Sequence, residues 1–184
     1  RQRQMCIRDS ILADDLIEAN QGCMKQMIEK WDGGNMVATM NVEDKDTSFL
    51  IAEKIKQICN LLDIKFIFKG SYKKANRSRL DSFTGIDQQI ALKILKEIAD
   101  EFHIETITDV HESHEPKKIA EFVDHLQIPA FLCRQTELLL AAGNTGLGVN
   151  IKKGQFMSPE SMKFALEKVQ STGNENIWLC ERGT

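Results

Sequence analysis

The chain predicts an α/β fold and, within that class, a (β/α)8 TIM barrel with only about six β/α units present. Three observations carry this. From about residue 36, strand-like apolar runs alternate with amphipathic helical stretches, the pattern of a parallel sheet with helical crossovers. No G-x-G-x-x-G or G-x-x-x-x-G-K-[ST] follows any strand, which weighs against an open nucleotide-binding sheet. Polar residues collect instead at the C-terminal ends of at least four strands, where barrel enzymes keep their chemistry.

The strand candidates in order are Met36–Val42, Ile64–Ser71, Glu105–Glu112, His125–Leu132, Val149–Phe156 and Asn176–Gly183. Between them, Ile51, Ile55, Ile58 and Leu62 recur at helical spacing and define one apolar face. Ile86, Ile90, Ile94, Ile98 and Phe102, flanked by Ala91, Leu95 and Ala99, define a second. A short helical turn around His114–Asp124 and a segment over Gln135–Ala142 continue the alternation. Met162, Ala165, Leu166 and Val169 give the last helix, opened by Ser158 as N-cap and Pro159 as first helical residue. Arg1–Ser10 has neither period nor cap; it reads as a non-native segment and is set aside, leaving 11–184 as an incomplete barrel domain. A closed barrel takes roughly 250 residues against 184 here. Either the chain is a fragment or the architecture differs. As a fragment it would leave edge strands and apolar faces uncovered, so the expectation for the isolated chain is aggregation and no activity.

Composition narrows the function classes. With 42% hydrophobic and 28% charged residues the chain can bury a core. No apolar run approaches the roughly 20 residues of a membrane span, and no secretory signal is visible. A net charge of −3 argues against general nucleic-acid binding. The five cysteines, Cys6, Cys23, Cys59, Cys133 and Cys180, are odd in number and form no C-x-x-C pair. That disfavours a disulfide framework or zinc site and favours a reducing cytoplasm.

Against this acidic background the cations Lys69, Lys73, Lys74, Arg77 and Arg79 cluster at the exit of the strand ending near Ser71. They form either a site for a small, strongly anionic ligand or a solvated basic loop. Strand alternation sorts the rest. Asp109 and His111 share a face, so both can aim at one point on the barrel axis. The run Asp109, His111, Glu112, His114 has the composition of a metal cluster, but Glu112 points the other way and His114 falls at the next helix. Asn150 and Lys152 share a face of their strand, and Arg182 lies at the last strand exit. Any one of these cations alone would be a snorkelling surface residue. Four strands delivering cations to one rim suit a substrate pair carrying phosphates and carboxylates, which demand Lys and Arg partners.

The motifs Phe68-Lys69, Lys74-Ala75-Asn76-Arg77-Ser78, Thr108-Asp109-Val110-His111-Glu112, Gln127 to Thr136, Asn150 to Phe156 and Glu181-Arg182-Gly183 stand in a family's order and near its spacing. Over about residues 36 to 184 the chain resembles the 3-deoxy-D-manno-octulosonate 8-phosphate synthases. The resemblance implies a cytoplasmic bacterial transferase of lipopolysaccharide biosynthesis. Such an enzyme condenses phosphoenolpyruvate with arabinose 5-phosphate and water, releasing phosphate by carbon–oxygen cleavage, with no cofactor. It implies Lys69, Lys74, Gln127, Lys152 and Arg182 at the phosphoenolpyruvate carboxylate and phosphate, and Ser71, Asn76, Arg77 and Ser78 at the sugar phosphate. Asp109 and His111 would position or activate the water, and Lys74, Asp109, His111, Lys152 and Arg182 form the catalytic group. Ala130 and Asn150 line the substrate site, and Phe131 and Arg134 lie on a loop reaching a neighbouring subunit of a homotetramer. Asn41 stands where metal-dependent members carry a cysteine, which implies no metal requirement. Two further strand–helix units and a rim histidine would follow Thr184.

The chain departs from the family's common pattern at Ala38-Thr39, Tyr72-Lys73, Thr84 to Asp87 and Asn144. The alternatives are a sibling synthase taking erythrose 4-phosphate or an N-acyl-mannosamine, and a non-catalytic phosphosugar-binding remnant.

Overall fold

The computed structural model describes residues 5–7, 36–42, 44–75, 79–82 and 84–181, with 5–7 and 36–41 as backbone only. Among the described residues seven strands form one sheet: β1 (Met5–Ile7), β2 (Met36–Asn41), β3 (Phe66–Ser71), β4 (Glu105–Asp109), β5 (His125–Ile128), β6 (Gly148–Lys152) and β7 (Ile177–Cys180). Every neighbouring pair is parallel and the strands stand in chain order. A doubly wound sheet must reverse its order at a switch point. This sheet never does, and a barrel wall is the architecture that keeps chain order throughout.

Helices α1 (Lys45–Leu61), α2 (Gln88–Phe102), α3 (Pro116–Ile119), α4 (Thr136–Gly143) and α5 (Met162–Gln170) connect the strands. Asp44 caps α1 by accepting the Thr47 N–H at 2.8 Å, and Asp87 caps α2 by accepting from Gln89 and Ile90 at 2.9 and 3.1 Å. Ser158 and Pro159 open the last helical stretch as the sequence implies, through a 3₁₀ turn at Pro159–Ser161.

The strands separate two apolar layers by simple alternation. Phe66, Phe68, Leu126, Ile128, Val149 and Ile151 face the helices and join Leu95, Ile98, Leu139 and Val169 in the main core. Ile67 and Ile107 face the other way and pack with Trp178 in a separate inner cluster. Close packing of α2 on the sheet depends on Gly70, where a Cβ would come within 2.8 Å of Leu95 and Val42 side-chain atoms.

Several strand bounds differ from those expected. Met5, Cys6 and Ile7, within the segment set aside on sequence, stand as β1 beside Met36, Val37 and Ala38, a strand too short to display a period. The strand expected to run to Glu112 stops at Asp109, because the His111 and Glu112 N–H groups turn to the Glu115 carboxylate. The strand expected to run to Leu132 stops at Ile128, where Pro129 carries no N–H for the ladder and a 3₁₀ turn, Ala130–Leu132, follows. β6 and β7 are likewise shorter than expected.

Candidate active site

The inward positions at the C-terminal ends of four successive strands are Lys69 and Ser71 on β3, Asp109 on β4, Gln127 on β5 and Asn150 on β6. Register places Asp109 beside Gln127 and Gln127 beside Asn150. The side chains are joined in a chain. Lys69 Nζ donates to Asp109 Oδ2 at 2.8 Å and Ser71 Oγ donates to the same oxygen at 3.1 Å. Gln127 Nε2 donates to Asp109 Oδ1, and Asn150 Nδ2 donates to Gln127 Oε1 at 3.2 Å. Lys69, Gln127 and Asn150 are almost wholly buried. Buried polar groups are stable where they find hydrogen-bond partners; these bonds supply them across four strands, with the Asn150 Oδ1 alone of this group left without one.

Burial by itself would raise the Asp109 carboxyl. The adjacent Lys69 ammonium, with the charges of Lys152 and His111, more than offsets that and holds it at about 2. Asp109 is therefore a fixed anion near neutral pH. With both oxygens already accepting hydrogen bonds, it anchors the neighbouring donors and is poorly suited to take up a proton.

A second group sits at the β3 and β4 exits. Glu115, buried, accepts the backbone N–H of His111 at 2.6 Å and of Glu112 at 3.1 Å, and takes Lys73 Nζ at 3.1 Å. Its Oε2 is 3.6 Å from His111 Nδ1. Burial would raise the Glu115 carboxyl, but the His111 side chain and N–H, the Glu112 N–H and Lys73 hold it below the usual carboxylate range. Burial and the nearby Glu115 carboxylate push the Tyr72 phenol up, and its ring lies 6.3 Å from that of His111.

The sequence-derived residues thus divide. Lys69, Ser71, Asp109, Gln127 and Asn150 are brought together, and Lys152, at the end of β6, is near enough to act on Asp109. Lys74 is partly buried at the neck of the following loop, its N–H bonded to the Thr84 carbonyl at 3.0 Å. Ala130 is buried, whereas Phe131 and Arg134 are exposed beyond β5. Asn41 ends β2 in register with Ser71, and its side chain lies outside the described set. Asn76, Arg77, Ser78 and Arg182 lie outside the described residues. Glu112 and His114 are exposed, and no group of three potential metal ligands occurs among the described residues.

A family model described as the DAHP synthetase I family matches residues 36–184. The chain belongs to the DAHP synthetase I family. Among curated proteins it is similar to the 2-dehydro-3-deoxyphosphooctonate aldolase of Fusobacterium nucleatum, at 48% identity over 143 residues, covering 78% of this chain and 51% of that protein. The protein of the same name from Bartonella henselae gives the same figures, 48% over 143 residues, 78% and 51%. That of a Cyanothece species is 46% identical over 143 residues, covering 78% and 52%. The chain spans about half the length of the curated relatives it matches.

For this DAHP synthetase I family chain, motif reading missed Glu115 and took Lys73 only as one cation of the cluster at the β3 exit. Glu115 stands four residues after His111 and directly before Pro116, outside every strand pattern. The available signal was its position: an acid just ahead of a proline-initiated helix, within reach of the preceding loop's N–H groups. Among the described residues no helix is long and apolar enough to cross a membrane.

Proposed function

We propose that the full-length protein condenses phosphoenolpyruvate with D-arabinose 5-phosphate and water to give 3-deoxy-D-manno-octulosonate 8-phosphate and phosphate. The observation that carries this reading is the buried chain Lys69–Asp109–Gln127–Asn150 across four strand ends, set within motifs of the eight-carbon synthases. The similar proteins' name, 2-dehydro-3-deoxyphosphooctonate aldolase, denotes the same eight-carbon acid. The family model alone spans more than one acceptor sugar, so the choice of arabinose 5-phosphate rests on Lys74 to Ser78 and on these relatives.

In this reading Lys74, Lys152 and Arg182 hold the phosphoenolpyruvate carboxylate and phosphate. Lys69 and Gln127 border them, fixed by Asp109; Lys69 donates one of its three ammonium N–H groups to the Asp109 carboxylate. Ser71, Asn76, Arg77 and Ser78 receive the sugar phosphate, with Ala130 and Asn150 lining the floor, and Phe131 and Arg134 serve a neighbouring subunit in a homotetramer. The double bond of phosphoenolpyruvate attacks the sugar aldehyde, water adds to carbon 2, and the carbon–oxygen bond breaks to release phosphate. With Asp109 held as an anion, proton transfer from water falls to His111, while the lysines stabilise the negative charge that develops. Asn41, a neutral amide, offers a transition metal little, so no metal takes part. The setting is the bacterial cytoplasm, in lipopolysaccharide biosynthesis.

The test is phosphate release by the full-length protein from phosphoenolpyruvate labelled with ¹⁸O at the bridging oxygen. The expected result is release only when arabinose 5-phosphate is present, with the label in the phosphate. Binding of both ligands without turnover would favour the phosphosugar-binding remnant instead.

A further inference from the structure

Glu115 does more than a turn cap requires. A cap needs an oxygen on the exposed N–H groups, and Oε2 supplies it to His111 and Glu112. The same oxygen also lies 3.6 Å from His111 Nδ1, on a side chain only 11% exposed. The second oxygen leaves this segment altogether and accepts Lys73 Nζ, from the segment just past the neighbouring strand β3, at 3.1 Å. Lys73 directly precedes Lys74, the first residue of the Lys74–Ser78 motif. One buried carboxylate therefore ties the β4 exit, which carries His111, to the β3 exit, which carries the cationic loop.

We propose that Glu115 is a positioning residue for the condensation: it sets which nitrogen of His111 bears the proton, and through Lys73 it ties the β3 exit to the β4 exit. The role rests on the synthase reading above, although its physical core does not. A neutral imidazole has one N–H, and a fixed anion facing Nδ1 favours placing that proton there. Nε2 is then left as the basic nitrogen, the state His111 needs in order to accept a proton from water. Without the carboxylate the imidazole is free to take the other tautomer, which has no basic atom at Nε2. Lys73 works separately, by fixing the β3 exit and the adjoining Lys74 and not the state of the imidazole.

The test uses the full-length protein with ¹⁵N-labelled histidine and long-range ¹H–¹⁵N correlation at pH 8, with the His111 signals assigned through His111→Gln. The native protein is expected to show His111 protonated at Nδ1. Protonation at Nε2 in the native protein overturns the proposal whatever any variant does. Glu115→Gln keeps an oxygen for the two backbone N–H groups but removes the charge. It is expected to move His111 to the Nε2–H form or a mixture and to lower kcat by about ten- to a hundredfold, below the usual full value of a general base, with KM changed less than about threefold. An unchanged tautomer in a folded Glu115→Gln protein overturns the proposal. Lys73→Met is expected to keep the native tautomer and raise KM for the sugar phosphate, and an unaltered KM overturns the part of the proposal that concerns Lys73. If the tautomer shifts as stated while the native protein has no synthase activity, the synthase reading fails and the coupling of Glu115 to His111 stands.

Discussion

The Lys69–Asp109 pair can be tested as a thermodynamic cycle. Lys69→Met removes the ammonium 2.8 Å from Asp109 and leaves a carboxylate that is only 14% exposed. Breaking a buried pair from one side costs about 3–5 kcal/mol, because the other charge is left uncompensated. The titration gives a smaller figure. A carboxyl held at about 2 against an ordinary 3.8 is worth about 2–3 kcal/mol, at about 1.4 kcal/mol per pH unit. The prediction is therefore a loss of about 2–5 kcal/mol for Lys69→Met. A similar loss is expected for Asp109→Leu, which strands an ammonium only 3% exposed. The double variant should lose clearly less than the sum, by at least about 2 kcal/mol, since two apolar side chains can pack where two charges stood. Urea unfolding of the full-length protein at pH 7.5, followed by circular dichroism, measures all four corners. The pH dependence has a definite sign. The folded carboxyl titrates below the unfolded one, so its stabilisation is complete above 3.8 and is lost as pH falls toward 2. The gap between native and Lys69→Met should narrow over that interval. Effects that add to within about 0.5 kcal/mol, or a gap that does not narrow, would refute the reasoning.

Other outcomes follow from single features. Gly70→Ala would drive a methyl group into Leu95 and Val42 and should destabilise by about 1–3 kcal/mol in urea melts, whereas a neutral effect would mean α2 can move off the sheet. Burial, against the pull of Glu105, holds His125 below its ordinary 6.5. The unfolded chain thus takes up a proton first, and stability, complete above 6.5, should decline below it. His125→Gln should flatten the unfolding free energy between pH 7 and 5.5, and an unchanged slope would contradict that. Activity is expected to survive prolonged EDTA treatment, and loss restored by manganese or zinc would overturn the role given to Asn41.

How much of this was legible in the sequence depended on periodicity. Six of the seven strands were visible because Phe66-Ile67-Phe68 or Val149-Asn150-Ile151 alternate between a helix-facing and an inner layer. That alternation also put Asn150 and Lys152 on one face. The end of β3 at Ser71 was legible, but that of β4 was not, because it depends on a contact made beyond the strand: Glu115 takes amides the ladder would otherwise use. Lys69, Gln127 and Asp109 were picked out as candidates, but their linkage was not, since it follows from the register of β3, β4 and β5. The pairing of Glu115 with Lys73, 42 residues apart, leaves no local pattern at all. β1, with three residues, is below the length at which a period can be recognised.

The acceptor sugar is the point on which the functional account stands. The full-length protein should be given phosphoenolpyruvate with equal concentrations of arabinose 5-phosphate and erythrose 4-phosphate, and the products weighed by mass spectrometry. The account predicts that the eight-carbon acid phosphate predominates. Predominance of the seven-carbon acid, or no condensation product at all, would contradict it.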